Sequence, residues 1–468
     1  MLFEKILKFL IGLFLFLLPW QTIWIFRENF LNGKMEWWTL GFYGTEALLW
    51  LMVLFFVCWF WNKRKLYRNY TEIIQKFSFS KDRIFVLSVL SLISYLSLSF
   101  FWSIDKPLAL QQSLRIMEAF LLFFVLWLGP LKKEGAIKWL VLGSILPCIL
   151  GIWQFLTQST FASTWLGLAL HPAWQSGTSV VASDTIGRWL RAYGTFSHPN
   201  VLGGYIVIVL LLYCLPVRSH DVAKAGSVVE NEKGWVQLIT YNLLLTTLFF
   251  TFSRSAWLAA IVSFSVIQFF SLRNRKNISY LLSLISIIII LVALFFPLVQ
   301  TRLTGDSVSE VRSTDERVSE YGDAWKLFKK DPILGVGAGN YTVALRHSDK
   351  WRPAWEIQPV HNAFVLFVVE GGLVGVGLFL LAFVSYILYL TSYILHQKNK
   401  LHVICYPDKV RDPVFHRDTL QVTSFLFLAS FDHYLYSSYI GLMLSALFFG
   451  LISQKDEGVC GNPQLIHH

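Results

Sequence analysis

Charge is in short supply in this sequence. Only 15% of its 468 residues are Asp, Glu, Lys or Arg, against 55% hydrophobic residues. A chain so short of polar side chains cannot cover a water-facing exterior, which excludes an ordinary soluble domain. Cysteine is scarce as well: Cys58, Cys148, Cys214, Cys405 and Cys460 are all there are. No two stand at metal-ligand spacing, so neither a zinc site nor a disulfide framework is expected. No internal repeat is visible. No strand precedes the glycine series Gly335-Val-Gly337-Ala-Gly339-Asn340, which argues against a nucleotide loop and for a sharp turn or a backbone nest.

What the chain does have is long, almost uncharged apolar runs that match the thickness of a bilayer. They predict an all-α, polytopic integral membrane protein with about twelve spans. The runs lie near residues 6–26, 39–61, 84–103, 108–129, 136–156, 198–217, 236–253, 255–272, 279–300, 361–394, 419–435 and 436–453. The first resembles a signal peptide, but no small-residue cleavage site follows Pro19-Trp20, so it is expected to stay as an anchor.

Orientation follows from the basic residues. With the N-terminus inside, 24 of the 40 Lys and Arg fall in cytoplasmic segments, nine lie in the long loop 301–360 and seven elsewhere outside. The short-loop rule then puts both termini in the cytoplasm and loop 301–360 outside. The net charge of +11 is thus a topological signal that also suits anionic inner-leaflet lipids, and it calls for no nucleic-acid partner. The expected organisation is an N-terminal set of helices with an outer interfacial loop 157–195 (residues 1–195), a catalytic transmembrane region with the loop 301–360 (196–453), and a cytoplasmic tail (454–468). Within the loop, Asp323 to Lys330 carries a helical apolar stripe through Trp325 and Phe328, which predicts short helices capping the bundle.

Polar residues gather at the outer ends of the apolar runs. His198 precedes Pro199, the residue type favoured at the first helical position, and His361-Asn362 opens the tenth run. Two helix N-termini with unpaired N–H groups make an anion site that fits a phosphate or diphosphate. The positive end of the helix dipole would also keep His361 neutral and able to take a proton. Arg254, in the tight connection between the seventh and eighth runs, stands where the orientation rule makes basic residues rare. Its forked guanidinium matches phosphate oxygens. Arg317 is the next candidate, with Arg312 behind it and Arg191 a third. Taken singly, these features have plainer explanations: a helix cap or interfacial ring for His198 and His361, an arginine reaching headgroup phosphates for Arg254. Their coincidence on one face is what favours a site. Glu370, nine residues into its span and half a turn away from His361, reads as a partner within the bundle, and Gly371, Gly375 and Gly377 as places of close helix approach.

Together these residues resemble the O-antigen ligase and polymerase superfamily. The resemblance is carried by Gly194-Thr-Phe-Ser-His198-Pro-Asn200, Phe252-Ser-Arg254-Ser-Ala-Trp, Glu316-Arg317 followed by Trp325, Pro332-Ile-Leu-Gly-Val-Gly-Ala-Gly-Asn340-Tyr, His361-Asn362 with Glu370-Gly-Gly, and Phe431-Asp432-His433-Tyr434. Their order and the large loop before the His-Asn pair match too. The resemblance implies a GT-C-like membrane glycosyltransferase taking an undecaprenyl-diphosphate-linked glycan outside the bacterial cytoplasmic membrane and joining it to a glycan, lipid or protein acceptor. It implies diphosphate binding by Arg254 and a loop arginine, here Arg317 with Arg312 or Arg302 as substitutes, and activation of the acceptor hydroxyl by His361. Arg191 is a further diphosphate candidate; His198, Asn200, Asn362, Glu370, Asp432 and His433 support the site. The expected reaction is a single inverting displacement with no cofactor and no metal. The competing class is a transporter or flippase of lipid-linked oligosaccharide, but that would place charges near the midplane of two matching halves, whereas here the polar groups crowd one rim.

Overall fold

The computed structural model describes residues 2–28, 36–67, 81–183, 186–213, 227–271, 275–304, 308–404 and 413–454. Helices dominate. Helix α1 (Leu2–Leu17) leads into a hairpin of β1 (Ile23–Arg27) and β2 (Leu40–Tyr43), then α2 (Gly44–Tyr67), α3 (Lys81–Leu98), α4 (Lys106–Leu128) and α5 (Lys133–Thr157). A second antiparallel hairpin, β3 (Val180–Ser183) with β4 (Gly187–Leu190), precedes α6 (Pro199–Tyr213), α7 (Ser227–Phe250), α8 (Arg254–Ser271) and α9 (Arg275–Leu294). Then come α10 (Phe296–Thr304), α11 (Val308–Lys330), α12 (Tyr341–Ser348), α13 (Ala363–Ile404), α14 (Pro413–Phe431), α15 (Tyr434–Ser437) and α16 (Tyr439–Ile452).

Among the described residues, five helical segments are long and apolar enough to cross a membrane: Gly44–Lys63, Arg83–Phe101, Lys106–Leu128, Lys133–Thr157 and Ala363–Leu388. The pair Ile285–Leu294 and Phe296–Thr304, bent by 90°, makes a sixth if it counts as one span. Shorter apolar helices occupy Pro199–Tyr213, Val236–Phe250, Val422–Phe431 and Tyr439–Ile452. A mostly helical membrane protein is therefore what the chain shows, with five or six full-length spans where the apolar runs suggested about twelve. Residues 217–226 and 405–412 of the basic segments around 217–234 and 398–417 lie outside the described residues, as do Cys214, Cys405, Cys460 and the tail 455–468.

Three local expectations change. The first apolar run does not continue to residue 26: the helix ends at Leu17, before Pro19, and β1 follows. In that strand Trp24 and Phe26 are exposed while Ile23, Ile25 and Arg27 are half-buried, the two-residue alternation of a strand. The loop 301–360 is mostly helix, and α11 presents Ala324 and Leu327 to the interior, with Trp325 57% exposed. Trp325 instead stacks on Phe328, with Lys329 over its ring. Finally, of the three glycines expected to admit a neighbouring helix, Gly375 lies against Tyr95 of α3, Gly371 faces Phe367 of its own helix, and Gly377 faces open space.

Two cores result. The larger fills the helical bundle. The smaller joins Trp38, Leu40 and Leu108 to Ala324, Leu327, Val336, Tyr341, Leu345, Val360, Leu366 and Val369, so the 301–360 segment folds as a cap seated on α4, the first hairpin and the start of α13. Polar contacts fix the seat. Arg27 grips Asp105 with two bonds of 3.2 and 2.9 Å. Asn340 then accepts from the Asp105 N–H at 2.8 Å and donates to its carbonyl at 3.2 Å.

Helix α13 is broken at Gly372, whose φ is +59°. The backbone groups released there bond to the glycine-rich turn of the cap: Val336 and Gly337 donate to the carbonyls of Val369 and Glu370, both at 3.0 Å, and Leu373 donates to Pro332 at 2.9 Å. This contact leaves no room for side chains. A Cβ on Gly335, itself at φ +70°, would meet the Glu370 carbonyl oxygen at 2.4 Å and the Gly372 nitrogen at 2.5 Å. Gly335→Ala should therefore lower stability by on the order of 2–3 kcal/mol or more. Gly377→Ala, in open space on α13, should be neutral or stabilising by about 0.5–1 kcal/mol. Thermal unfolding of the two purified variants in detergent checks this, and equal Tm values would remove the close-contact reading.

Candidate active site

The site forms where the cap meets the bundle. Helix α11 is held by Asp323, buried and paired with Arg352 at 2.5 Å. One turn earlier, Glu320 turns toward His361: its Oε2 accepts the His361 backbone N–H at 3.1 Å and lies 2.7 Å from the ring Nδ1. A carboxylate only accepts, so Nδ1 carries the hydrogen and Nε2 is left with the lone pair when the ring is neutral. The His361 side chain is 22% exposed.

Asn362 closes the helix start. Its Oδ1 accepts from the N–H groups of Phe364 and Val365, both at 3.0 Å, while its Nδ2 donates to the Ser430 carbonyl at 3.0 Å. That second bond ties α13 to the segment bearing Asp432 and His433. The His433 ring packs edge-on to His361, centroids 5.3 Å apart, and to Trp37 at 5.0 Å; its Nδ1 lies 2.7 Å from the Ser437 hydroxyl. Asp432 is buried, accepting from the His433 N–H at 2.9 Å and from Asn200 Nδ2 at 3.2 Å.

From Asn200 the network runs to Arg191, buried at 4% exposure. Its guanidinium donates to Asn200 Oδ1 at 2.7 Å, to the Ser179 hydroxyl at 2.7 Å and to the Thr251 carbonyl at 2.6 Å. Arg191 is thereby spent on holding β4, α6 and the turn before α8 together. Arg254 is the first residue of α8, half-buried. The turn that precedes it is strained, with Phe252 at φ +45°, and Arg302 donates to the Phe252 carbonyl at 3.0 Å. Arg317, half-buried on α11, forms no hydrogen bond or ion pair among the described residues, though its charge acts on His361, Asp432 and His433. The Arg312 side chain lies outside the described residues.

The two helix starts differ from the anion site that the sequence suggested. At α6 the Asn200 N–H donates to His198 Nδ1 at 3.1 Å, and Val201 donates to the His198 carbonyl at 3.0 Å. At α13 Asn362 takes the amides. Internal caps satisfy these donors, so the two helix starts do not offer the open amides expected of them. The glycine turn behaves likewise: its Gly339 and Tyr341 N–H groups bond the Glu370 carboxylate at 2.8 and 3.3 Å, and the Tyr436 hydroxyl adds a bond of 2.9 Å. Glu370 is thus a partner within the fold, filling the nest that the sequence offered to a phosphate.

Electrostatics separates the three histidines. Burial and the Arg191 charge push His198 down to about 3, against the pull of Asp432. Burial pushes His433 down to about 4, again against Asp432. For His361 burial also acts downward, but the hydrogen bond and charge of Glu320, with Asp432 behind them, outweigh it and raise its pKa. The dipole argument for a neutral His361 missed this carboxylate. Asp432 lies below the usual carboxylate range because His433, His361, His198 and Arg317 outweigh its burial. His198 also has the opposite tautomer from His361: its Nδ1 accepts the Asn200 N–H, so neutral His198 carries hydrogen on Nε2 and can donate but not act as a base there.

The structure brings together in one neighbourhood His361, His198, Asn200, Asn362, Asp432, His433, Arg191 and Arg317, all singled out from the sequence. Arg254 connects to it through the 250–254 turn and Arg191. Glu320 was missed, as was Trp37. Residues 239–380 match the O-antigen ligase family. This stretch holds Arg254, Arg317, Glu320, His361 and Glu370, and it supports the superfamily resemblance and, in general terms, glycan transfer at a bacterial inner membrane. A search of curated proteins finds no match to the chain. If Arg191 organises the site, Arg191→Ala should lower stability by about 1.5–3 kcal/mol or more through lost charge-assisted bonds, whereas Arg317→Ala should leave Tm nearly unchanged. Thermal unfolding of both variants decides this, and a reversed order would return Arg191 to the ligand-binding set.

Proposed function

We propose that this protein transfers a glycan from an undecaprenyl-diphosphate carrier to an acceptor hydroxyl at the outer face of the bacterial cytoplasmic membrane, as an O-antigen ligase or polysaccharide polymerase. The observation that carries the reading is the contrast among the three clustered histidines His198, His361 and His433: of these, His361 combines an available Nε2 lone pair, partial exposure and a carboxylate able to steady its protonated form. In this reading the helices belong to a GT-C-like bundle of about twelve spans, with residues 301–360 outside. The distribution of basic residues supports that orientation.

His361 Nε2 takes the acceptor proton as the oxygen attacks the anomeric carbon. The bond from that carbon to the diphosphate oxygen breaks, and its electron pair leaves with the carrier. Arg254 and Arg317 stabilise the growing negative charge, and neutral His198 adds an N–H donor. One displacement inverts the anomeric centre and needs neither a nucleotide sugar nor a metal. The acceptor is a glycan, lipid or protein.

His361→Ala should abolish transfer while donor binding stays within about twofold, whereas Arg254→Ala should weaken donor binding and turnover together, with Arg254→Lys recovering part of the loss. Purified variants, assayed in EDTA for single-turnover transfer and for binding of an undecaprenyl-diphosphate glycan, test this. Near-normal transfer by correctly inserted His361→Ala would remove the base assignment, and a loss in EDTA restored by a divalent ion would demote Arg254.

The orientation has its own check. With native cysteines replaced, a cysteine at Ser348 should react with an impermeant thiol reagent in intact cells, and one at Glu134 should not. The reverse pattern would put the site in the cytoplasm.

A further inference from the structure

We infer that Glu320 is the positioning residue of the transfer reaction, setting both the orientation and the basicity of His361; this rests on the reading of His361 as the base. The geometry is specific. One carboxylate oxygen receives both the backbone N–H and the ring Nδ1 of the same histidine, so the ring is pinned relative to its own main chain. Asn362 fixes that main chain from the other side by capping α13. The imidazole therefore has one ring nitrogen held and the other turned away from its holder.

Glu320 is itself braced. Its side chain is 13% exposed, its carbonyl accepts from the Tyr341 hydroxyl at 3.4 Å, and Asp323, three residues on, locks α11 to Arg352. Arg317 stands three residues before Glu320 on the same helical face. One helix therefore presents a cation for the leaving diphosphate and an anion for the base.

The charged and titratable groups facing His361 are Glu320 and Arg317 from α11, Asp432 and His433 from the segment before α15, and His198 at the start of α6. Asp432 is shared with Asn200 and its neighbouring histidines, which leaves Glu320 as the carboxylate bonded directly to the His361 ring. When the acceptor proton arrives on Nε2, the imidazolium forms beside Glu320. The carboxylate takes up no proton; it compensates the charge and keeps hydrogen on Nδ1.

Glu320→Gln tests the assignment, because the amide oxygen can still accept from His361 but carries no charge. In the inserted enzyme, kcat should fall by roughly 10–100-fold, the KM for donor should stay within about twofold, and the acid limb of kcat/KM should move to lower pH. The sign follows from the roles: the base must be deprotonated, Glu320 raises its pKa, and losing that charge lets His361 stay neutral to lower pH. Glu320→Asp keeps the charge on a shorter arm, so the acid limb should stay near that of the wild type with an intermediate kcat.

A Glu320→Gln enzyme with wild-type kcat and an unmoved acid limb overturns the assignment, provided His361→Ala is inactive. If His361→Ala is itself active, the base reading fails instead. Should the Gln variant not insert, Glu320→Asp decides: full wild-type rate with the shortened arm overturns the positioning role, and a reduced rate with a retained acid limb upholds it.

Discussion

A carboxylate buried where a helix breaks holds this molecule together. Glu370 lies just before Gly372, the residue at which α13 leaves helical geometry, and it accepts from the cap at Gly339 and Tyr341 and from Tyr436 beside the histidine cluster. A carboxylate inside a membrane-spanning helix is tolerated when hydrogen bonds surround it. Here those bonds join three parts of the chain that are distant in sequence. The break is what permits them, since an unbroken helix would have no spare carbonyls for Val336 and Gly337. The glycines at 335 and 372 let the two backbones touch, and the cap is thereby set at a fixed height above the bundle.

That fixed height gives the site its chemistry. With the cap seated, Glu320 of α11 meets His361 and the charge of Arg317 reaches the same group. The three histidines around one buried aspartate would otherwise be similar titrating groups. Their neighbours make them different: a backbone N–H fixes one tautomer at His198, burial keeps His433 neutral, and a carboxylate raises His361. Division of labour among like side chains arises from second partners more than from the side chains themselves.

How much of this was legible in the sequence depended on whether the relevant contact was local. The sharp turn at Gly335–Gly339 and the candidacy of His361 followed from short motifs and helix-start chemistry, whereas the capping role of Asn362 did not. The large loop as a folded cap also followed, though not which face of α11 it buries. Glu320 gave no such signal, because its partner is 41 positions away and it sits in a charged stretch with Glu316, Asp315 and Asp323. The amides of the glycine turn looked available because their acceptor, Glu370, is brought by tertiary packing, whereas those of the helix starts are taken by the neighbouring side chains of His198 and Asn362. The strand at Ile23–Arg27 hid inside an apolar run, where helix and strand are both hydrophobic and only alternation separates them.

The smaller core has an effect on how such a chain can diverge. Trp38, Leu40 and Leu108 come from the first 110 residues, yet they pack with Leu327, Val336 and Tyr341 of the cap. The Trp38 indole even bonds the hydroxyl of Thr342, 304 positions on, at 3.1 Å. The stretch 239–380, which matches the O-antigen ligase family, therefore does not own the floor on which its cap rests. Exchange of N-terminal helices between related chains would alter the seat of Glu320 without touching a reacting group, so the two portions must change in step. Recombination at the start of the matched region would break that agreement, whereas paired substitutions across the shared core would preserve it.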